Sequence, residues 1–267
     1  MADEPIHPEQ QVSINSSVPH SARIWNYWLG GKDNYQADRE AGERFQEAFP
    51  AIVDNARSFR AFLSRGIHHL AAEAGVRQFL DVGTGLPTFD NTHEVAQRAA
   101  PTSRIVYVDN DPLVLVHAHA LLTSHPDGVT DYVHADLRDP AAIHEHAART
   151  LDFTQPVALI LSGILGHVAD YEEARGIVGD LLKPLPSGSY LLLCDGTATN
   201  VELQAAQDKH NEDGDVLYHL RTPEQMEGFF SGLELVEPGV VPCPSWRPDA
   251  DTPTVEVDAY GGVGRKP

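Results

Sequence analysis

Gln78-Phe79-Leu80-Asp81-Val82-Gly83-Thr84-Gly85-Leu86-Pro87-Thr88 decides the fold. Gln78 to Val82 is short, mostly apolar and closed by turn residues, the pattern of a buried strand in a parallel sheet. Gly83 and Gly85 then allow a sharp turn and a close approach to a ligand where a Cβ would collide. Asp81 falls at the carboxyl edge of the sheet, where open α/β folds bind their ligands. Asp81, Gly83, Thr84 and Gly85 are therefore candidate ligand contacts. A dinucleotide fingerprint carries a third glycine three residues after the second, at a helix start that receives pyrophosphate. Here that position is Thr88, behind Pro87, and the next helix starts only near Asn91, with Glu94 reaching back as in a capping box. So long a loop suits a nucleoside without phosphates, and S-adenosylmethionine is the expected cofactor. A strand followed by Gly-x-Gly also occurs in sheets that bind nothing.

Downstream, acids recur at strand ends. Arg104 to Asp109 is a second strand, and its terminal carboxylate stands where ribose hydroxyls are accepted; Asp109 is the ribose candidate or else a cap for the helix that starts at Asp111-Pro112. Asn110 is placed to touch adenine. Thr130 to Ala135 alternates as a third strand and runs into Asp136 and Leu137, an acceptor for the adenine amino group beside an apolar cover, unless Asp136 only caps. Pro156 to Leu161 is apolar throughout, a central strand, and Ser162-Gly163 after it offers backbone and hydroxyl to an amino-acid moiety. His167, just beyond, is the best-placed general base for an acceptor hydroxyl, although the chain has 14 histidines, most of them ordinary. Ser189 to Asp195, Leu233 to Val236 and Thr254 to Tyr260 complete the strands, with helices at Tyr171 to Leu182 and from Thr222. Asp195 faces an acceptor pocket or caps the turn at Gly196.

Upstream, Met1 to Val18 is polar and aperiodic and reads as a flexible tail. Residues 19–75 form a helical cap segment and 76–267 the nucleoside-binding domain. Ile24, Trp25, Trp28 and Leu29 make the apolar stripe of a first helix stopped by Gly30-Gly31; a second ends near Pro50 and a third runs from about Val53 to Ala74. Tyr27 and Tyr35 are candidates to cover a sulfonium by cation–π attraction. Asn34 offers a hydrogen-bonding tip, Gly30-Gly31 a hinge or close approach, and Trp25 and Trp28 pack the cap onto the sheet. Pro242 to Pro253, with Trp246 and Arg247, reads as a surface loop rather than a flap over the acceptor site, and its end from Asp249 to Pro253 as a turn-rich link.

The 267 residues suffice for one large domain with an appendage. Nineteen basic against 39 acidic side chains give a formal charge of −20, which repels phosphate backbones and argues against nucleic acid as a partner. A small-molecule acceptor fits better. Cys194 and Cys243 alone indicate neither a disulfide framework nor a metal site. No apolar run reaches the roughly 20 residues of a membrane span, and a signal-peptide pattern is lacking, so no membrane partner and a cytoplasmic location are expected.

Pro19-His20-Ser21-Ala22-Arg23-Ile24-Trp25-Asn26-Tyr27-Trp28-Leu29-Gly30-Gly31-Lys32-Asp33-Asn34-Tyr35, Ala56-Arg57 with Arg60-Ala61-Phe62-Leu63, the Gln78 to Thr88 stretch, Val106 to Pro112 and Ala135 to Pro140 together resemble the actinobacterial S-adenosylmethionine-dependent methyltransferase-like family known as DUF574. The resemblance covers nearly the whole chain from about residue 17. One departure is Phe59, where a polar Asn is expected. The resemblance implies an α/β, Rossmann-like class I methyltransferase fold, with seven strands in the order 3-2-1-4-5-7-6 behind an N-terminal helical cap, and a S-adenosylmethionine site; it supplies no substrate. Three functions compete: a small-molecule methyltransferase acting by in-line transfer, a non-catalytic sensor or accessory protein that binds the cofactor or its demethylated product, and a nicotinamide-dependent oxidoreductase, against which Thr88 and the late helix start argue.

Overall fold

Alternate residues of each strand point to opposite faces of the sheet, and the strands here carry apolar side chains on both. The structure, a computed structural model, describes residues 15–121, 123–213, 216–248 and 255–267. Strands β1 (Gln78–Val82), β2 (Arg104–Asp109), β3 (Val129–His134), β4 (Ala158–Ser162) and β5 (Tyr190–Gly196) are parallel, and β6 (Glu234–Leu235), β7 (Val241–Pro242) and β8 (Ala259–Arg265) close one edge antiparallel. The order is β3-β2-β1-β4-β5-β8-β6, with β7 also pairing with β8. The last long strand thus inserts between the fifth and sixth, as the expected order has it, and the two-residue β7 is an addition.

On one face Leu80, Val82, Val106, Leu159 and Leu191 pack under helices α6 (Pro140–Ala147), α7 (Tyr171–Leu182) and α9 (Pro223–Gly228). On the other, Phe79, Ile105, Ile160 and Leu192 meet α3 (Ile52–His68) and α4 (Thr92–Ala99). The third helix continues past His68 as one π turn, His69–Glu73. Its Gly66 brings it onto the sheet, because a Cβ there would overlap Leu192. Helices α1 (Ser21–Trp28), α2 (Gln36–Ala48), α5 (Pro112–Leu121) and α8 (Val201–Asp213) complete the described set. The second helix is tied down by Asp38, which is fully buried and accepts from the backbone N–H of His20 and Tyr35 at 2.9 and 2.8 Å.

Several expectations change. The last strand spans Ala259–Arg265 and so runs through Gly261, Gly262 and Gly264, beyond its expected end at Tyr260. Those glycines are required by packing: a Cβ on Gly261 would stand 2.7 Å from Phe62 Cζ and 2.9 Å from Cys194 Cβ. Gly261→Val is therefore expected to destabilise by about 1–3 kcal/mol through overpacking, read as a lower urea midpoint at unchanged slope. Trp246 lies in no surface loop. It is fully buried against Phe62, ring centroids 5.5 Å apart, and Arg65 donates to the carbonyl oxygens of Cys243 and Trp246 at 2.7 and 2.9 Å. The link Asp249 to Pro253 and Thr254 lie outside the described residues. So do residues 1–14 of the expected tail, whereas the carbonyl oxygens of Asn15 and Val18 accept from Arg23 at 3.2 and 2.8 Å.

Candidate active site

Parallel strands put the β1–α4, β2–α5 and β4–α7 loops at one edge of the sheet, and a cavity of about 460 Å³ opens there, within the range of small-molecule sites. Asp81, Gly83, Thr84, Gly85, Asp109, Asn110, Asp136, Leu137, Ser162 and His167 all border it. Gly83 and Gly85 adopt φ of 76° and 66°, a region that favours glycine. The N–H groups of Gly83 and Thr84 bond the Val108 carbonyl oxygen at 2.8 and 3.3 Å, which stitches the turn to the end of β2.

Asp109 closes that stitch. Its two carboxylate oxygens accept the N–H of Asp111 and of Gly85, each at 2.9 Å. Burial pushes its pKa upward, and those two backbone bonds oppose the shift. Asp81 is 4 % exposed and accepts the Thr92 hydroxyl at 2.5 Å. Burial raises its pKa to about 6, against the Thr92 bond and the Arg60 charge. Asp136 accepts from the N–H of Arg138 at 2.8 Å and loosely from Asn110 Nδ2 at 3.5 Å. The Ser162 hydroxyl sits 3.2 Å from Cys194 Sγ.

His167 borders the far end. Its Nδ1 lies 2.8 Å from the Leu217 carbonyl oxygen; a carbonyl only accepts, so Nδ1 carries the proton and Nε2 is the basic nitrogen. Burial lowers its pKa, the Leu217 bond opposing. Behind it, fully buried Asp195 accepts the Tyr218 hydroxyl and the N–H of Gly196 and Gly166, the latter two at 2.9 and 3.2 Å. It is held under the His167 turn and caps Gly196.

Tyr27, Asn34 and Tyr35 do not border the cavity. Tyr27 donates to Glu43 on α2 at 3.1 Å, Asn34 donates to Asn26 Oδ1 at 2.9 Å, and the Tyr35 ring lies under the Arg23 guanidinium at 5.4 Å. The reason is Gly30-Gly31, which works as a close approach: the chain folds back over the buried Asn26 side chain, into which a Cβ on Gly31 would run. Tyr27 and Asn34 then turn to α2. What covers the cavity is α1 itself, through His20, Ser21, Trp25, Asn26 and Leu29.

Three contributors were not assigned from sequence. His20 Nδ1 lies 3.2 Å from Asp111 Oδ2, which brings the start of α1 beside the end of β2 and is an ion pair only when His20 is protonated. Arg60 donates to the carbonyl oxygens of Phe89 and Asp90 at 2.8 and 3.0 Å, which holds the long loop before α4. Phe59, the departure from the expected Asn, packs on Trp25 at 5.1 Å in the cavity wall. His20 and Arg60 stand within the quoted family stretches without a role read from them, and Phe59 was noted there only as a departure. Among the described residues no three metal-ligating side chains gather, and no helix is long and apolar enough to cross a membrane.

A parallel sheet with an antiparallel edge, a glycine turn after β1 and an acid after β2 define the class I methyltransferase architecture. The chain belongs to the S-adenosyl methyltransferase family, whose model matches residues 7–267, and is a S-adenosylmethionine-dependent methyltransferase. It is 48 % identical to a DUF574 family protein from Streptomyces avermitilis, over 94 % of this chain and 99 % of that one, with a TM-score of 0.91. A protein from Thermobifida fusca is 39 % identical over 94 % and 96 %, with a TM-score of 0.86. Human N-acetylserotonin methyltransferase, 14 % identical over 85 % of this chain and 57 % of that one, shares the fold at a TM-score of 0.50. No curated protein matches the chain.

Proposed function

We propose that the chain binds S-adenosylmethionine in the large cavity and methylates a small-molecule acceptor held at its His167 end. The residues fit the cofactor. Asp109 takes the ribose hydroxyls, Asn110 and Asp136 the adenine edge with Leu137 against its ring, and the Gly83-Thr84-Gly85 turn and Ser162-Gly163 the amino-acid moiety. Asp81, Asp109 and Asp136 around one cavity favour a ligand with cationic sulfonium and ammonium groups. When bound, the cofactor supplies a methyl group on that sulfonium; as the acceptor oxygen bonds to the methyl carbon the carbon–sulfur bond breaks, and sulfur keeps the electron pair as a thioether.

The protein's part is to align the acceptor and exclude water. α1 is the cover, with His20 at its start beside Asp111. His167 Nε2 takes the proton that the acceptor hydroxyl gives up, and burial keeps the ring neutral and ready to accept it.

The observation that carries this reading is the convergence of Asp81, Asp109, Asp136 and Ser162, from the ends of separate strands, on the cavity that His167 also borders. Calorimetric titration with S-adenosylmethionine and S-adenosylhomocysteine is expected to show micromolar binding. A folded protein that binds neither would overturn the reading. Binding with no methyl transfer to any of a broad acceptor panel would favour the sensor.

A further inference from the structure

A second cavity, about 60 Å³ against the first one's 460 Å³, lies between α1, α3 and α8. Ser21, Trp25, Phe59, His167 and Val216 border both, so the two share a wall. The rest of its lining is strongly apolar, with Trp28, Phe45, Ile52, Leu203 and Leu220 across from His167.

Several of the polar groups around it are already engaged. The Tyr218 hydroxyl donates to Asp195, Gln207 Nε2 donates to Asn211 at 3.0 Å, and Asn55 Oδ1 accepts the Asp258 N–H at 3.2 Å. His210 stands edge-on to Phe45, centroids 5.5 Å apart. Hydroxyls or charges on a guest would lose water here without gaining partners, which costs about 1–3 kcal/mol for each unpaired polar group. The exception is the shared wall, where His167 keeps Nε2 as an acceptor while Nδ1 is held by Leu217.

We propose that this second cavity receives a short apolar chain or one edge of the apolar ring of the methyl acceptor and sets its single hydroxyl at the shared wall beside His167, which makes the acceptor class a neutral apolar alcohol or phenol. The assignment rests on the cofactor occupying the large cavity. The chain's charge of −20 works in the same direction, because it disfavours anionic acceptors. The small volume selects too: at less than half of the roughly 150 Å³ that encloses a benzene ring, it takes a short chain or one edge of a ring, and the rest of the acceptor lies in the larger cavity.

The test uses the full chain saturated with S-adenosylhomocysteine and compares cyclohexanol and phenol with myo-inositol, which has the cyclohexane ring but a hydroxyl on every carbon. Ligand-observed NMR is expected to show the two apolar alcohols binding at least tenfold more tightly than myo-inositol. Leu203→Phe, which fills the far wall, is expected to weaken them tenfold or more while S-adenosylhomocysteine affinity stays within twofold; Leu220→Phe takes its place if that variant does not fold. Myo-inositol binding as well as cyclohexanol, or apolar binding indifferent to both filling substitutions, would overturn the assignment with the cofactor reading intact. Failure of S-adenosylhomocysteine to bind the folded wild type would overturn both, and calorimetry on the unliganded protein separates that outcome from the others.

Discussion

Asp109→Ala is expected to bind S-adenosylhomocysteine at least about a hundredfold more weakly than the wild type. A carboxylate offers about four lone-pair positions, and the N–H groups of Gly85 and Asp111 occupy one on each oxygen. The remaining two suit a pair of ribose hydroxyls. Hydrogen bonds to a charged group are worth about 1.5–3 kcal/mol each, so losing two costs about 3 kcal/mol at the low end, and 1.4 kcal/mol is tenfold in affinity. Alanine also releases the Gly85 N–H, so the glycine turn is no longer fastened to β2 through a side chain. Asp109→Asn keeps the shape and loses the charge, and its affinity is expected to fall between the two. Calorimetry reads the affinities and a melting curve confirms folding. An alanine variant that stays folded and binds as tightly as wild type would mean that the ribose lies elsewhere.

The contribution of Asp195 to stability is expected to fall as pH rises from about 4 to about 7. Burial raises its pKa from 3.8 to about 7, with the backbone bonds from Gly196 and Gly166 opposing. The folded state therefore holds a proton that the unfolded chain has released. The stabilising contribution is complete below about pH 4, the unfolded value, and is lost as pH climbs through about 7, the folded one. A difference of roughly 3 pKa units at 1.36 kcal/mol each amounts to about 4 kcal/mol, of which about 2–3 falls between pH 5 and pH 8. Asp81, raised to about 6, acts in the same sense. Urea unfolding of wild type and Asp195→Asn across that range isolates Asp195, because Asp81 is common to both. The wild-type curve should descend more steeply; parallel curves would show that Asp195 ionises in the folded state as easily as in the unfolded one.

The two carboxylates differ in how readable they were. Asp109 stands at the end of an alternating strand, a fixed distance from a glycine turn, and the mechanism that makes it a ribose acceptor is local, so its candidacy followed from the order of residues alone. Its neighbours along the same edge, Asp81, Gly83, Gly85, Asp136 and Ser162, were legible for the same reason: in a parallel sheet every strand delivers its last residue to one edge. Asp195 was legible only as an alternative, because its partners Gly166 and Tyr218 come from other loops. The cap shows the limit best. Helical periodicity identified α1 and α3, yet Tyr27 and Asn34 turn to α2 and Tyr35 packs with Leu86, Leu113 and Val114, since Asn26, buried inside the turn, decides which way the Gly30-Gly31 segment folds. The glycines of β8 lay beyond the expected strand end, because what requires them there is the packing of Phe62 and Phe230 against them.

The sequence by itself therefore determined the parallel strands and the edge where their acids collect, because these depend on short apolar runs and on residues adjacent along the chain, while the strand order followed from the resemblance to the DUF574 family. Which side chains cover the site, which apolar residues line the second cavity and which acid sits beneath His167 were decided only by tertiary structure, where α1, α3 and α8 meet through contacts that no spacing in the chain encodes.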